Sequence, residues 1–80
     1  MGALHILYDS DSYCVAEFAG STGVELVDKH SRRSGFLEGP VAACLRLGMA
    51  KLAAGDPGEE EVDEFLCRYE SLLTNAIHLH

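Results

Sequence analysis

Paired cysteines are absent from this sequence. Cys14, Cys44 and Cys67 are an odd number, lie far apart along the chain and form no Cys-x-x-C motif. A disulfide framework uses an even number of cysteines and a zinc knuckle uses closely spaced pairs, so both classes of small domain are disfavoured. The cysteine content instead favours a reducing compartment, and we expect a cytoplasmic protein.

Long apolar segments are absent as well. No stretch of the chain approaches the roughly 18 consecutive apolar residues that indicate a membrane-spanning helix. The amino end has no basic segment followed by an apolar run, which is the pattern of a secretory leader. We therefore expect a protein without membrane association.

Basic residues are scarce compared with acidic ones. Six Lys and Arg stand against 13 Asp and Glu, which gives a formal net charge of −7. Because proteins bind phosphate backbones largely through Lys and Arg, general nucleic-acid binding is disfavoured. Three of the six basic residues nevertheless lie in one short loop, as Lys29, Arg32 and Arg33. A nucleic-acid-binding accessory protein that uses the loop from Lys29 to Arg33 is therefore our alternative function.

What the chain does contain is enough for a small globular domain. Of its 80 residues, 48% are hydrophobic and 24% are charged, which is ordinary for a folded protein. We expect residues 1–80 to form a single domain. A core of this size supplies little net stability, so association with a second copy would help.

Four segments in the amino half have the composition of strands. They are rich in β-branched, aromatic and other apolar residues and are separated by polar or glycine-containing turns. The predicted strands are residues 4–8, 13–18, 24–28 and 35–38. Short turns favour antiparallel neighbours, so we predict a β-meander of three or four strands that needs a packed layer on its apolar face.

Two helices are predicted in the carboxyl half, where apolar residues recur at helical spacing. They cover residues 40–54 and 57–74. The inner stripe of the second helix is predicted to contain Val62, Phe65, Leu66, Tyr69, Leu72 and Leu73. For the second helix, Asp56 is predicted to be the N-cap, Pro57 the first helical residue and Glu59 the capping-box acid. The pattern therefore indicates a helical hairpin that covers one face of the sheet, which is an α+β fold.

The link between the two helices and the end of the chain complete this prediction. Gly55 is predicted to end the first helix in the left-handed conformation. Residues 77–79 are predicted to form a short final strand, because apolar residues and histidines alternate there.

The first predicted helix is apolar on two faces. Its inner stripe is predicted to contain Val41, Cys44, Leu45, Gly48, Met49 and Leu52. Leu47 lies on the opposite side, together with Ala43 and Ala50. A helix that is apolar nearly all round is usually covered on both sides, so either the second helix or a second subunit is expected to cover this face.

The leading hypothesis is accordingly a homodimeric interaction module without enzymatic activity. The basic loop of one subunit is expected to dock on the acidic residues 59–64 of the other, so that high salt would weaken the dimer. The candidate interaction surface is Lys29, Arg32, Arg33, Ala43, Leu47 and Ala50.

Two groups of polar residues are weaker candidates for a site. Asp9 and Asp11, with the serines beside them, could surround a hard cation such as calcium or magnesium, although a plain hydrogen-bonded turn is the commoner outcome. His78 and His80, with His5 on a neighbouring strand, could bind zinc, although surface histidines are commoner. We assign no catalytic residue, no cofactor and no metal ligand.

The sequence resembles a small bacterial family of unknown function. The segments that carry the resemblance are 7–13 (LYDSDSY), 24–29 (VELVDK), 36–39 (FLEG), 59–62 (EEEV), 69–72 (YESL) and a tail of leucine and histidine. They span nearly the whole chain, and LYDSDSY is the most specific of them. The connection between Phe18 and Val24 is shorter than in the family pattern. The resemblance implies a bacterial cytoplasmic protein and transfers no activity, cofactor or site residue.

Overall fold

The chain forms four antiparallel strands, then two helices, and then a short fifth strand. The five strands make one antiparallel sheet in which they lie in chain order. The computed structural model describes residues 4–18, 20, 22–73 and 75–76. The strands are β1 (Leu4–Asp9), β2 (Tyr13–Phe18), β3 (Val24–Asp28), β4 (Arg33–Leu37) and β5 (Asn75–Ala76), and the helices are α1 (Gly39–Ala54) and α2 (Glu59–Cys67). The predicted α+β fold, an antiparallel sheet followed by a pair of helices, is confirmed.

The turn between β3 and β4 is shorter than the sequence predicts. β4 begins two residues before its predicted start, because Arg33 pairs with Asp28 across the turn. The Asp28 carboxylate accepts hydrogen bonds from the backbone N–H groups of His30 at 3.0 Å and Ser31 at 3.2 Å. Arg32 completes the turn with a φ of 57°. The side chain of Asp28 therefore stabilises this turn.

A β-bulge interrupts the pairing of β1 with β2. Ile6 lies opposite Ala16 and Tyr8 lies opposite Val15, so Leu7 is the extra residue. Successive residues of a regular strand point to opposite faces, and a bulge breaks that alternation. The bulge therefore changes which side chains of β1 point towards the helices.

One face of the sheet packs against both helices. The fully or nearly fully buried apolar residues that form this core are Tyr13, Val15, Val24, Leu26, Leu37, Ala42, Leu45, Val62, Leu66 and Leu73. The sheet members are alternate residues of β2, β3 and β4, as expected for strands with one buried face. α1 and α2 lie over this face and close the core.

The inner face of α1 differs from the predicted stripe. Ala42 and Leu45 are buried, with Met49 packed against them, whereas Val41 and Cys44 are exposed. Ala42, Leu45 and Met49 recur at helical spacing, so the face of α1 that packs on the sheet contains these residues. The prediction that Val41 and Cys44 belong to the core was therefore wrong.

The second helix begins later than residue 57. Asp56 has a φ of 55°, whereas Gly55 has a φ of −96°, so the left-handed residue after α1 is Asp56. An N-cap residue has extended backbone geometry, which Asp56 lacks and Gly58 has. The predicted roles of Gly55 and Asp56 were thus wrong, because one residue cannot both reverse the chain after α1 and cap α2.

The second helix also ends well before residue 74. After Cys67 the backbone hydrogen bonds join residues that are three positions apart, and a single 3-10 turn, Glu70–Leu72, follows. As a result Leu73 is buried, whereas Leu72, which the helical pattern had placed on the same stripe, is exposed. β5 then pairs with the edge of β4. The predicted final strand at 77–79 lies outside the described residues.

Candidate interaction surfaces

The turn between β1 and β2 carries the candidate polar residues Asp9 and Asp11. The Lys29 ammonium donates to the Asp9 carboxylate and to the Ser10 carbonyl oxygen, each at 2.6 Å. The backbone N–H of Asp11 donates to the Glu59 carboxylate at 3.4 Å. Within the described part of the chain, no group of three or more His, Cys, Asp or Glu side chains is arranged to hold a metal ion. The cation that faces Asp9 is therefore a lysine side chain.

Ser10 makes the same turn an anchor for α2. Its hydroxyl donates to the Asp63 carboxylate at 2.9 Å and accepts the N–H groups of Ser12 and Tyr13, both at 3.1 Å. The Tyr8 hydroxyl also donates to Asp63, at 3.0 Å. Burial, together with this bond, raises the pKa of the Tyr8 phenol. The LYDSDSY segment thus positions the second helix, a role that sequence spacing could not reveal because Asp63 is 53 residues from Ser10.

The basic loop is less free than its composition indicated. Lys29 is held by Asp9, and its backbone N–H donates to the Ser12 carbonyl oxygen at 2.9 Å. Arg32 and Arg33 are exposed, and neither forms an ion pair within the residues that the structure describes. Two free cations are few for binding a phosphate backbone. The alternative of a nucleic-acid-binding protein therefore gains no support from this loop.

The second apolar face of α1 is uncovered on this chain. Ala43, Leu47 and Ala50 are all exposed, and Leu47 is 58% accessible. Next to Leu47, the Arg46 guanidinium donates to the Glu17 carboxylate at 3.0 Å. Glu17 lies at the opposite end of β2 from the Ser12 contact of Lys29. The two halves of the predicted interaction surface are therefore near opposite ends of that strand.

A larger apolar surface lies on the sheet face that the helices do not cover. Leu4, Ile6, Phe18 and Phe36 are 55%, 45%, 39% and 44% accessible, respectively. In the strand register, Leu4 lies opposite Phe18. Ile6, Ala16, Glu25 and Phe36 lie opposite one another in a row across the four strands. We call Leu4, Ile6, Phe18 and Phe36 the outer sheet patch. The outer sheet patch was not predicted from the sequence, although apolar residues on both faces of β1 are typical of a strand with contacts on both sides.

A groove of about 640 Å³ lies beside β1, on the helix side of the sheet. Its apolar lining includes Leu7, Met49, Ala50, Ala53 and Val62. The volume is within the range of about 300–1,000 Å³ that is usual for ligand sites. We call it the β1 groove. The lining residues of β1, α1 and α2 come together only when these elements pack, so periodicity within one element could not predict the groove.

An acidic cluster lies where β2 and β3 meet the 3-10 turn. The Tyr13 hydroxyl donates to the Glu70 carboxylate at 2.5 Å. Burial, reinforced by this bond and by the negative charge of Glu70, raises the pKa of the Tyr13 phenol. Burial alone would raise the pKa of the neighbouring Asp28 carboxyl, but the hydrogen bonds from Ser31 and His30 outweigh it and the pKa of Asp28 is lowered. The folded state therefore holds Asp28 as a carboxylate.

Replacing Asp28 with asparagine should make the free energy of unfolding depend less on pH in the acid range. Because the pKa of Asp28 is lower in the folded state, its stabilisation is present above its unfolded pKa and is lost as pH falls through the folded one. Asp28→Asn should lower the free energy of unfolding by about 1–3 kcal/mol at pH 7, since its hydrogen bonds are no longer charge-assisted. Urea unfolding at about pH 3, 5 and 7 measures this, and the deficit should shrink below about pH 4. Asp11→Asn, in an exposed turn, is the control, and a deficit for Asp28→Asn that stays constant with pH would contradict the assignment.

The cysteines and histidines form no common site in the described residues. Cys14, Cys44 and Cys67 are free. Burial and the negative charge of Asp9 raise the pKa of the Cys14 thiol, which makes it a poor nucleophile. His5 lies 3.2 Å from the Glu17 carboxylate. His78 and His80, the other residues of the zinc hypothesis, lie outside the described residues.

Comparisons with known proteins give a family but no activity. A family model described as "Protein of unknown function (DUF3567)" matches residues 4–80. Protein BTH_I0359 of Burkholderia thailandensis is 38% identical over 85 aligned residues, which cover 96% of this chain and 100% of the relative. No solved structure matches the chain. In the described residues, no helix combines the length and apolar character needed to cross a membrane.

Proposed function

Because the chain belongs to the DUF3567 family of proteins of unknown function, we propose a function from its surface: it is a homodimeric, non-enzymatic interaction module of the bacterial cytoplasm. The observation that carries the proposal is the outer sheet patch. Large apolar surfaces that remain exposed on a small domain usually mark a contact with another molecule. Two antiparallel sheets that pack face to face would bury this surface in both copies.

The charge distribution favours this face for self-association. The protein has a net charge of −7, so two copies repel each other unless their acidic surfaces point away from the contact. The first turn of α2, which lies on the helix side of the sheet, contains three acidic residues, Glu59, Glu60 and Glu61. Among the side chains that link Ile6 to Phe36 across the outer face, Glu25 is the charged one. A contact through the outer sheet patch therefore keeps most of the negative charge apart.

The α1 face is the competing dimer contact, and it offers less apolar surface. Leu47 is its one large side chain, since Ala43 and Ala50 are small. The dimer contact that we propose is for this reason the outer sheet patch rather than Ala43, Leu47 and Ala50. The cytoplasmic location is supported by the three free cysteines, which suit a reducing compartment.

A charge placed in the outer sheet patch should separate the dimer. Ile6→Asp would bury an unpaired carboxylate in the contact, and we expect the dimer dissociation constant to rise at least about 100-fold. Phe36 is a less suitable position, because its ring lies over Gly23, where an added Cβ would come within 2.5 Å of the ring. Sedimentation equilibrium at micromolar concentration measures the effect, and circular dichroism checks that the variant is folded.

Leu47→Asp is the matched control for this experiment. It places the same charge on the exposed α1 face and should leave the dimer intact. A native protein that is strictly monomeric at micromolar concentration would overturn the proposed function. A dimer that survives Ile6→Asp but is lost in Leu47→Asp would instead assign the contact to α1.

A further inference from the structure

One charged residue lies among the large side chains of the outer sheet patch. Ile6, Ala16, Glu25 and Phe36 lie opposite one another across four strands, so Glu25 has an apolar neighbour on each side. Glu25 is partly buried. Its carboxylate forms no hydrogen bond or ion pair within the residues that the structure describes. The outer face therefore carries an unpaired charge in the middle of an apolar row.

The position of Glu25 in the sheet decides what happens to this charge on association. Glu25 belongs to β3, the third of the five strands. Ile6 lies two strands away on one side, in β1, and Phe36 lies next to Glu25 on the other side, in β4. A second sheet that packs on the outer face and covers both of these large side chains also covers Glu25 between them. Formation of the proposed dimer therefore removes the Glu25 carboxylate from water.

Among the described residues, the titratable groups around Glu25 on this face offer no unpaired positive charge. On β2 the titratable group is the Cys14 thiol, and burial together with the negative charges of Asp9 and Glu25 raises its pKa. Asp9, at the end of β1, is paired with Lys29 at 2.6 Å. β4 contributes no titratable side chain to this face, and Glu38, which follows β4, is acidic. The charge of Glu25 is therefore not neutralised by these neighbours.

A second copy of the chain does not supply the missing cation from its strands. Four of the six Lys and Arg are on the helix side of the sheet, namely Arg33, Arg46, Lys51 and Arg68. Arg33 belongs to this group because it lies opposite Asp28, which is buried on that side. Lys29 is already in an ion pair. Arg32 is the remaining one, and it lies in the turn beyond the ends of β3 and β4. In the described part of the chain, the strands therefore hold no unpaired cation that would face Glu25 across the contact.

We propose that Glu25 takes up a proton when two outer sheet patches pack together, so that acid strengthens the dimer. This inference rests on the outer sheet patch being the dimer contact. A carboxylate that is removed from water without a cation or several hydrogen-bond donors is strongly disfavoured, and the protonated form replaces it. Because the dimer then binds more protons than two separate chains, its dissociation constant falls as pH falls. Glu25 thereby makes self-association depend on pH.

The dimer dissociation constant at two pH values tests the proposal. Sedimentation equilibrium of the native protein is measured at about pH 5.5 and about pH 7.5 in about 0.3 M salt, which screens the general repulsion between acidic chains. The dissociation constant should be at least about tenfold higher at the higher pH, because the release of one proton per dimer changes it up to about tenfold for each pH unit. Glu25→Gln keeps the size of the side chain and removes its charge. At about pH 7.5 this variant should dimerise at least about tenfold more tightly than the native protein, with less than about a threefold change between the two pH values.

Glu64→Gln is the matched control, because it removes the same charge from an exposed position of α2. It should keep the pH dependence of the native protein, and circular dichroism at both pH values checks that each variant is folded. If Glu64→Gln removes the pH dependence as fully as Glu25→Gln does, the overall charge is the cause and the proposal is overturned.

The remaining outcomes separate this proposal from the proposed function. A dimer with the same dissociation constant at both pH values would overturn the role of Glu25 and leave the dimer itself in place. A dimer that weakens in acid would also overturn that role, and it would indicate that a cation such as Arg32 of the partner subunit pairs with Glu25. A native protein and a Glu25→Gln variant that are both monomeric at each pH would overturn the proposed function and the role of Glu25 together.

Discussion

Leu66→Ala should lower the free energy of unfolding by about 2–5 kcal/mol, which is a large share of the stability of so small a domain. Leu66 is fully buried in the core between α2 and the sheet. Truncating its side chain removes apolar contacts and leaves a cavity that rigid neighbours cannot fill. α2 has only nine residues, and Val62 and Leu66 are its two buried ones. Urea unfolding followed by circular dichroism measures the loss.

Leu72→Ala is the matched control for this prediction. It makes the same chemical change on the segment that the sequence had assigned to the same helical stripe. Leu72 is 44% accessible, so the change should alter the free energy of unfolding by less than about 0.5 kcal/mol. Equal losses for the two variants would mean that Leu66 and Leu72 are buried alike, which would refute the end of α2 at Cys67.

Gly35→Ala should lower the free energy of unfolding by about 1–3 kcal/mol. A Cβ at Gly35 would lie 2.9 Å from the carbonyl oxygen of Leu72 and 3.1 Å from a methyl group of Leu73. The first of these neighbours is backbone, so relief requires the segment after α2 to move away from β4. Because Leu73 is part of the core, that movement also opens the core. Thermal or urea unfolding with an intact far-ultraviolet spectrum at low denaturant measures the effect.

Gly55→Ala is the control for the glycine prediction. At Gly55 an added Cβ would meet its nearest neighbour at an ordinary 3.6 Å, and the φ of −96° is accessible to alanine. The change should be neutral or stabilising by about 0.4–1 kcal/mol, because alanine lowers the entropy of the unfolded chain. A strong destabilisation would instead restore the left-handed role that the sequence had indicated for Gly55.

Local patterns predicted the sheet well because the relevant signals are local. β2 and β3 have the bounds that alternation and turn residues predicted. Short turns made antiparallel neighbours the natural arrangement, and the strands follow in that order. The family resemblance was likewise carried by short segments and is confirmed by the match to residues 4–80.

Local patterns failed where two elements competed for the same residue or the same surface. Asp56 satisfied the preferences of an N-cap, yet it is needed in the left-handed conformation that reverses the chain after α1. Helical spacing grouped Leu66 with Leu72, but α2 ends between them at Cys67. As a result, Leu73 is buried in the core beside Gly35. Neither choice can be made without knowing what the segment packs against.

The sequence by itself determined the class of fold, the order of the strands, the net negative charge and the absence of a disulfide framework. These properties depend on composition, short-range spacing and turn chemistry. Only the tertiary structure decided that Lys29 neutralises Asp9, that Asp63 ties α2 to the first turn, and which apolar faces remain open. Those outcomes depend on distances between residues that are far apart in the chain. Such distances exist only once the helices have packed on the sheet.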